Sequence, residues 1–115
     1  MKLILAIIQP TKLQTVRDAL KEVGIERMSI CDGQGFGRQR GQTETFRGHE
    51  YQLKFIRKVC IEIAVNDDFL ERAIDTITKA SRTGAAGNIG DGKIFVLPID
   101  DAVRIGETTR GPEAL

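Results

Sequence analysis

The apolar positions of this chain follow two rhythms, and their succession predicts the fold. Lys2 to Ile8 is a Leu/Ile-rich run that stops at Gln9-Pro10, the pattern of a buried strand. Thr11 and Gln14 have capping-box spacing, and Leu13, Val16, Leu20 and Val23 then recur at helical intervals. Gly24 stands where a helix closes on a left-handed residue. Ile25 to Cys31 predicts a second strand. Lys54 to Val65 predicts a third, because Val59, Ile61, Ile63 and Val65 alternate with Lys58, Cys60, Glu62 and Ala64. Asn66, Asp67 and Asp68 supply caps for a second helix with the stripe Leu70, Ala73, Ile74 and Ile77. Ile94 to Leu97 predicts a fourth strand, stopped at Pro98, and Ala102 to Ile105 a short fifth.

The order is βαββαβ with a tail. Two helices on one face of a four-stranded sheet make an α+β, ferredoxin-like sandwich. Between the second and third strands the chain is polar and charged from Gly37 to about Leu53, with Gly41 and Gly48 inside it. Hairpin links are usually about 2–5 residues long, and longer ones are commonly functional. Such a segment, with few apolar anchors, is expected to be mobile when alone. Tyr51, the only tyrosine, sits near its end, either exposed or packed on a neighbour.

The 115 residues fit one domain with a modest core, and the apolar fraction of 41% suits a globular protein. A net charge of +1, from 17 Lys plus Arg against 16 Asp plus Glu, gives no basic field for nucleic acid. No apolar run approaches the roughly 20 residues that span a bilayer, and the start lacks a signal-peptide cleavage site, so a cytoplasmic location is expected. Cys31 and Cys60 have neither metal-ligand nor redox spacing and predict buried thiols on strands. A single histidine, His49, nearly excludes a His-based metal site or triad.

Two glycine-rich segments carry the candidate chemistry: 33–41, with Arg38 and Arg40, and 84–93, ending in Lys93. Glycine lets backbone N–H groups approach an anion, and Lys or Arg adds countercharge, so both segments suit phosphate. Gly87 to Lys93 nearly fits a P-loop, but Ile94 replaces the Mg²⁺-binding Ser or Thr and a strand follows instead of a helix. Gly90-Asp91-Gly92-Lys93 alone suits phosphate and equally suits an Asp-Gly turn before a strand.

In order along the chain stand Gly35-Phe36-Gly37-Arg38-Gln39, Arg47-Gly48-His49-Glu50-Tyr51, Lys58 to Ile63, Thr83-Gly84 and Gly90 to Val96. Taken together, these motifs make the chain resemble the PII nitrogen-regulatory signal proteins over essentially its whole length. The resemblance implies a ferredoxin-like homotrimer with nucleotide sites in the clefts between subunits. It implies one PII-like domain, 1–115, with a T-loop at 37–54 that docks onto targets, a B-loop at 82–92 and a tail at 103–115.

Position by position, the resemblance implies that Ile7, Met28, Ser29, Glu62 and Ala64 line the adenine and ribose end. Gly35, Phe36 and Gly37 would bring the base of the T-loop against the nucleotide. Gly90, Asp91, Gly92 and Lys93 would cradle the phosphates of ATP or ADP from a neighbouring subunit, with Arg38 and Arg104 adding charge. Gln39 would ligate Mg²⁺ bridging ATP and 2-oxoglutarate. Lys58 would pair with a carboxylate of that acid, and Gly37 and Gly41 would let the chain wrap it. Arg47 would enter an ammonium channel, and Tyr51 would be the uridylylation site in relatives that use one. Targets among such relatives are an ammonium transporter, a glutamine synthetase regulator, a transcription factor and nitrogenase.

Three departures from the family pattern bear on the balance of ATP against ADP. The loop from Thr83 to Gly90 is longer through Ala85 to Asn88, Arg27 replaces a small residue near the ribose, and Gly106 replaces the second arginine of an Arg-x-Arg pair. Arg110 is the candidate to restore that charge. The expected function is a non-catalytic sensor. A CutA-type trimeric metal-tolerance protein of the same fold is the alternative, but it has no use for Gly90 to Lys93 and this chain lacks a second histidine. An ATP-using phosphotransferase lacks a nucleophile–base pair here.

Overall fold

Alternation along the strands divides the sheet into a face covered by helices and a face left open. The computed structural model describes residues 1–37, 45–46, 49–50 and 54–115, with side chains described for 1–33 and 57–115. Strand β1 (Lys2–Ile8) lies in the middle, antiparallel to both β5 (Lys54–Val65) and β6 (Gly92–Pro98). Strand β2 (Ser29–Gly37) pairs antiparallel with the other side of β5, giving the order β2-β5-β1-β6. This is the ferredoxin-like topology that the βαββαβ order predicts.

Helices α1 (Leu13–Glu22) and α2 (Asp67–Ser81) pack side by side on one face. Beneath them Ile4, Ala6 and Ile8 of β1 and Val59, Ile61, Ile63 and Val65 of β5 are buried against Val16, Leu20, Ala73 and Ile77. The period of two on the strands and the near-four spacing on the helices therefore meet in one core.

The structure corrects several local expectations. The capping box does not form: Pro10–Lys12 is a 3-10 turn, α1 starts behind it at Leu13, and its N-cap Lys12 makes no side-chain cap bond. Pro10 fits the first position of such a turn, where a backbone donor is not needed. Gly24, at φ 88°, closes α1 as expected. The second strand begins at Ser29 rather than Ile25 and runs on through the glycines to Gly37. Ile25 is buried instead under the end of α1, its N–H donating to the Leu20 carbonyl at 2.9 Å. Cross-strand pairing from Gly33↔Lys58 to Gly37↔Lys54 holds the glycines extended despite their poor strand propensity.

Asn66 is the N-cap residue of α2, but its side chain makes no cap bond and its Nδ2 donates to the Pro112 carbonyl at 3.2 Å. Asp67 and Asp68 occupy the first turn, where negative charge suits the helix dipole. The expected fifth strand reduces to one bridge, Val103↔Arg110. The segment after β2 is not wholly irregular: β3 (Thr45–Phe46) and β4 (His49–Glu50) form a small antiparallel ladder.

The alternating apolar residues of β5 lie under the helices, so they leave no apolar surface. The uncovered apolar residues come from β1 and β6: Leu3, Leu5 and Ile7 face Leu97, Phe95 and Lys93 across the ladder. Phe95 and Leu97 retain 47% and 40% exposure, a sheet face with nothing packed on it in the single chain.

Candidate ligand site

The predicted site residues fall into two groups near opposite edges of the sheet. Met28, Ser29, Glu62 and Ala64 line one cavity of about 500 Å³, together with Glu26, Arg27, Ala114 and Leu115. Ser29 and Glu62 are direct cross-strand partners, which aligns these side chains on the open face of β2 and β5. Arg27, the departure noted near the ribose, does stand at this cavity.

The second group surrounds the turn into β6. Asp91, Gly92 and Lys93 line another cavity, of about 600 Å³, between the end of α2, β1 and the loop after Ser81. Ile7 belongs to this cavity and not to the first, because it stands opposite Lys93 in the ladder.

Asp91 braces its own loop. Its carboxylate accepts from the Thr83 backbone N–H at 3.0 Å, the Thr83 hydroxyl at 2.7 Å and the Asn88 backbone N–H at 2.8 Å. The Asn88 amide in turn donates to the Thr83 carbonyl at 3.0 Å and to its hydroxyl at 2.7 Å. Desolvation opposes ionisation of Asp91, but the hydrogen bonds from Thr83 and Asn88 outweigh it and hold the carboxyl below its usual range. The carboxylate is thus committed to shaping the loop, leaving the backbone, Lys93 and Arg82 as groups at this cavity able to meet phosphate.

Gly92 is fixed by close approach. At φ 130° it sits in a region closed to other residues, and a Cβ there would lie 1.9 Å from the Ile7 carbonyl oxygen. The glycine lets β6 leave the loop directly beside β1, which places Lys93 opposite Ile7.

Lys58 joins the loop to the sheet. Its amine donates to the Gly90 carbonyl at 2.5 Å, and Gln9 Nε2 donates to the same oxygen at 3.2 Å. Burial pushes the Lys58 amine down, the nearby Asp91 carboxylate pushes it up, and burial prevails.

Arg104 is not beside the glycine-rich loop. Its guanidinium donates to the carbonyls of Ala114 at 3.1 Å and Leu115 at 3.5 Å and pairs with Glu107 at 3.3 Å, next to a cavity shared with Arg27, Ala64 and Leu115. Arg110, the candidate replacement for the missing arginine, is paired with Asp101, its Nε at 3.0 Å. Gly35, Phe36 and Gly37 lie on β2, opposite Ile56, Phe55 and Lys54. Arg38, Gln39, Gly41, Arg47 and Tyr51 lie outside the described residues.

Gln9 and Asn88 organise the loop without having been singled out from the sequence, and Thr83, named there only as part of a motif, does so through Asp91. Asn88 carried a weak signal, an Asn three residues before an Asp among glycines, which favours a turn closed by side chains. Gln9 carried none, since its partner is distant in sequence.

Comparison with known proteins bears out the resemblance. The family model described as nitrogen regulatory protein P-II matches residues 1–109. The chain is 50% identical over 115 residues to the nitrogen regulatory protein P-II of Bradyrhizobium diazoefficiens, covering 100% of both. It is 51% identical over 105 residues to nitrogen regulatory protein P-II 1 of Escherichia coli K12, covering 91% of each. Among solved structures it superposes on Arabidopsis thaliana PII bound to citrate with a TM-score of 0.78 and 38% identity, covering 99% of this chain and 91% of that one. With the family model matching residues 1–109 and a relative 50% identical over all 115 residues, the chain belongs to the nitrogen regulatory protein P-II family.

Proposed function

We propose that this P-II protein is a non-catalytic signal transducer that binds ATP or ADP between neighbouring copies of a homotrimer and senses 2-oxoglutarate beside the nucleotide. The separation of the two groups of site residues carries this reading. Ser29 lies on β2 and Lys93 on β6, the opposite edges of the sheet, about three strand spacings or 14 Å apart. Among the described residues the two groups line separate cavities. A cleft between two copies unites the base-binding group of one with the phosphate-binding loop of the next. The open face with Phe95 and Leu97 supplies the apolar surface for such closure.

Lys58 is a half-buried cation whose present partner, the Gly90 carbonyl, is neutral. A carboxylate is a stronger acceptor for an ammonium group than an amide carbonyl. A PII relative is described as bound to citrate, a polycarboxylate, which fits an acid-binding site in this family. Two carboxylates beside a triphosphate repel unless a cation intervenes, and Mg²⁺ would sit between them with Gln39 as a ligand. Loop 37–54, carrying Gln39, Arg47 and Tyr51, would then change its population of conformations with occupancy and release or recruit a target such as an ammonium transporter or a glutamine synthetase regulator.

Calorimetry with ATP, ADP and 2-oxoglutarate, singly and combined, tests the reading. Strong 2-oxoglutarate binding is expected only with Mg²⁺ and ATP. Equal binding without nucleotide, or none with Mg-ATP, overturns it.

A further inference from the structure

Cys31 on β2 and Cys60 on β5 are direct cross-strand partners. Both face away from the helices, since the neighbours of Cys60 in the strand, Val59 and Ile61, are buried in the core. The expectation of two buried thiols fails: Cys31 is exposed, Cys60 is partly buried, and both are free. Residues opposed in an antiparallel pair carry Cβ atoms about 4.5–5.5 Å apart, and a disulfide closes at about 3.5–4.5 Å. Closure therefore asks for a strand shift on the order of 1 Å. Both thiols share the open face with Phe95, and because β2 is the sheet edge farthest from β6, a reagent reaches the exposed Cys31 from that edge.

We propose that Cys31 and Cys60 form a reversible thiol–disulfide pair that a low-molecular-weight disulfide oxidises, closing chain segment 32–59 into a covalent ring. The Cys31 thiolate attacks the small disulfide, forms a mixed disulfide and expels one thiolate. Cys60 then loses its proton and attacks the Cys31 sulfur, forming the Cys31–Cys60 bond and expelling the second thiolate. Two protein thiols and one small disulfide thus become one protein disulfide and two small thiols. The order follows from exposure. Burial, Glu62 and Cys31 itself all push the Cys60 thiol up, which suits it to the second, proximity-driven step.

The ring holds Lys58 and the whole of loop 37–54, so oxidation staples the two strands that frame that loop. The pair rests on register and exposure alone and does not depend on the ligands proposed above.

The test incubates the purified full chain in graded ratios of oxidised to reduced glutathione, followed by alkylation and tryptic mapping without reductant. Peptide 28–38 joined to peptide 59–72 is expected, lost on adding dithiothreitol. Cys60→Ser is expected to trap glutathione on Cys31, about tenfold faster than Cys31→Ser traps it on Cys60. Glutathione on both cysteines of the unaltered chain without the joined peptide, disulfides between chains instead of within one, or two thiols unchanged at every ratio each overturns the proposal.

Discussion

Lys58 and Gly90, far apart in sequence, meet through a 2.5 Å hydrogen bond from the lysine amine to the glycine carbonyl. This bond ties the strand that leads out of loop 37–54 to the turn that presents Lys93. A ligand that drew the Lys58 amine away would leave the Gly90 carbonyl to Gln9 and solvent, so an acid at Lys58 and a phosphate at Lys93 would act on the same turn.

Replacing Lys58 with Met should therefore remove 2-oxoglutarate binding while leaving ATP affinity within a few-fold of the original. Gln9 still satisfies the Gly90 carbonyl, so the stability cost should be small, about 1 kcal/mol. Calorimetry and urea unfolding of the same variant separate the two effects. Full loss of ATP binding would mean that Lys58 chiefly holds the nucleotide loop.

Asp91 offers a pH test. Its carboxyl titrates below its unfolded value, so the stability it contributes is complete above about pH 4 and is lost as the pH falls through the lower folded value. Asp101 and Asp67 shift the same way, so only the difference between variants isolates Asp91. Asp91→Asn should be less stable at neutral pH, because an amide nitrogen faces donors, and the gap should close on acidification. Urea midpoints measured at stepped pH check this, and a gap that stays constant into acid would assign the cost to shape alone.

Much of the fold was legible because the core is periodic. Val59 to Val65 alternates and Val16 to Leu20 repeats at helical spacing, so burial could be read from order alone. The start of β2 was not legible, since Ile25 is apolar for a reason unrelated to strands: it plugs the core below α1. Nor did the glycines of 33–37 announce a strand, because their partner β5 imposes it. The site was half legible. Motif resemblance named Lys58 and Lys93, but the turn between them is held by Gln9 at Gly90 and Thr83 at Asp91, contacts that depend on the tertiary fold. The pairing of Arg110 with Asp101 is of the same kind, as is the facing of Cys31 and Cys60, since register between strands is not written in spacing.

Two glycines with positive φ should respond differently to alanine. Gly92→Ala drives a Cβ to 1.9 Å from the Ile7 carbonyl and should cost more than about 3 kcal/mol, with β6 displaced. Gly24 has nothing within 4 Å of a Cβ, so Gly24→Ala should cost only the left-handed penalty, about 1–2 kcal/mol. Denaturant unfolding of the pair gives the comparison, and equal costs would show that backbone strain rather than the Ile7 contact governs Gly92.

Gly106 lies in open space, with nothing within 4 Å of a Cβ, so an arginine fits there. Because Arg110 is held by Asp101, it does not already supply that charge. Gly106→Arg should raise ATP affinity more than ADP affinity, by several-fold if the guanidinium reaches the terminal phosphate. Equal changes for both nucleotides would show that it does not.

Assembly is the most exposed consequence of the fold. Leu5 and Phe95 are cross-strand partners on the face that no helix covers. Burying a Phe side chain contributes about 1.5–3 kcal/mol, and a closed trimer gains it once per subunit. A charge there would have to be desolvated or the interface opened, and in a trimer three copies would meet around one axis, so the penalty would be shared by every contact. Phe95→Glu should thus yield monomers at micromolar concentration while the monomer keeps its helix and strand content, since Phe95 makes no part of the core beneath α1 and α2. Phe69→Glu, at a half-exposed position on α2, is the control and should leave assembly unchanged. Light scattering and circular dichroism on both variants decide the matter. A Phe95→Glu protein that remains trimeric would move the subunit contact off this face, and with it the cleft proposed to join Glu62 of one copy to Lys93 of the next.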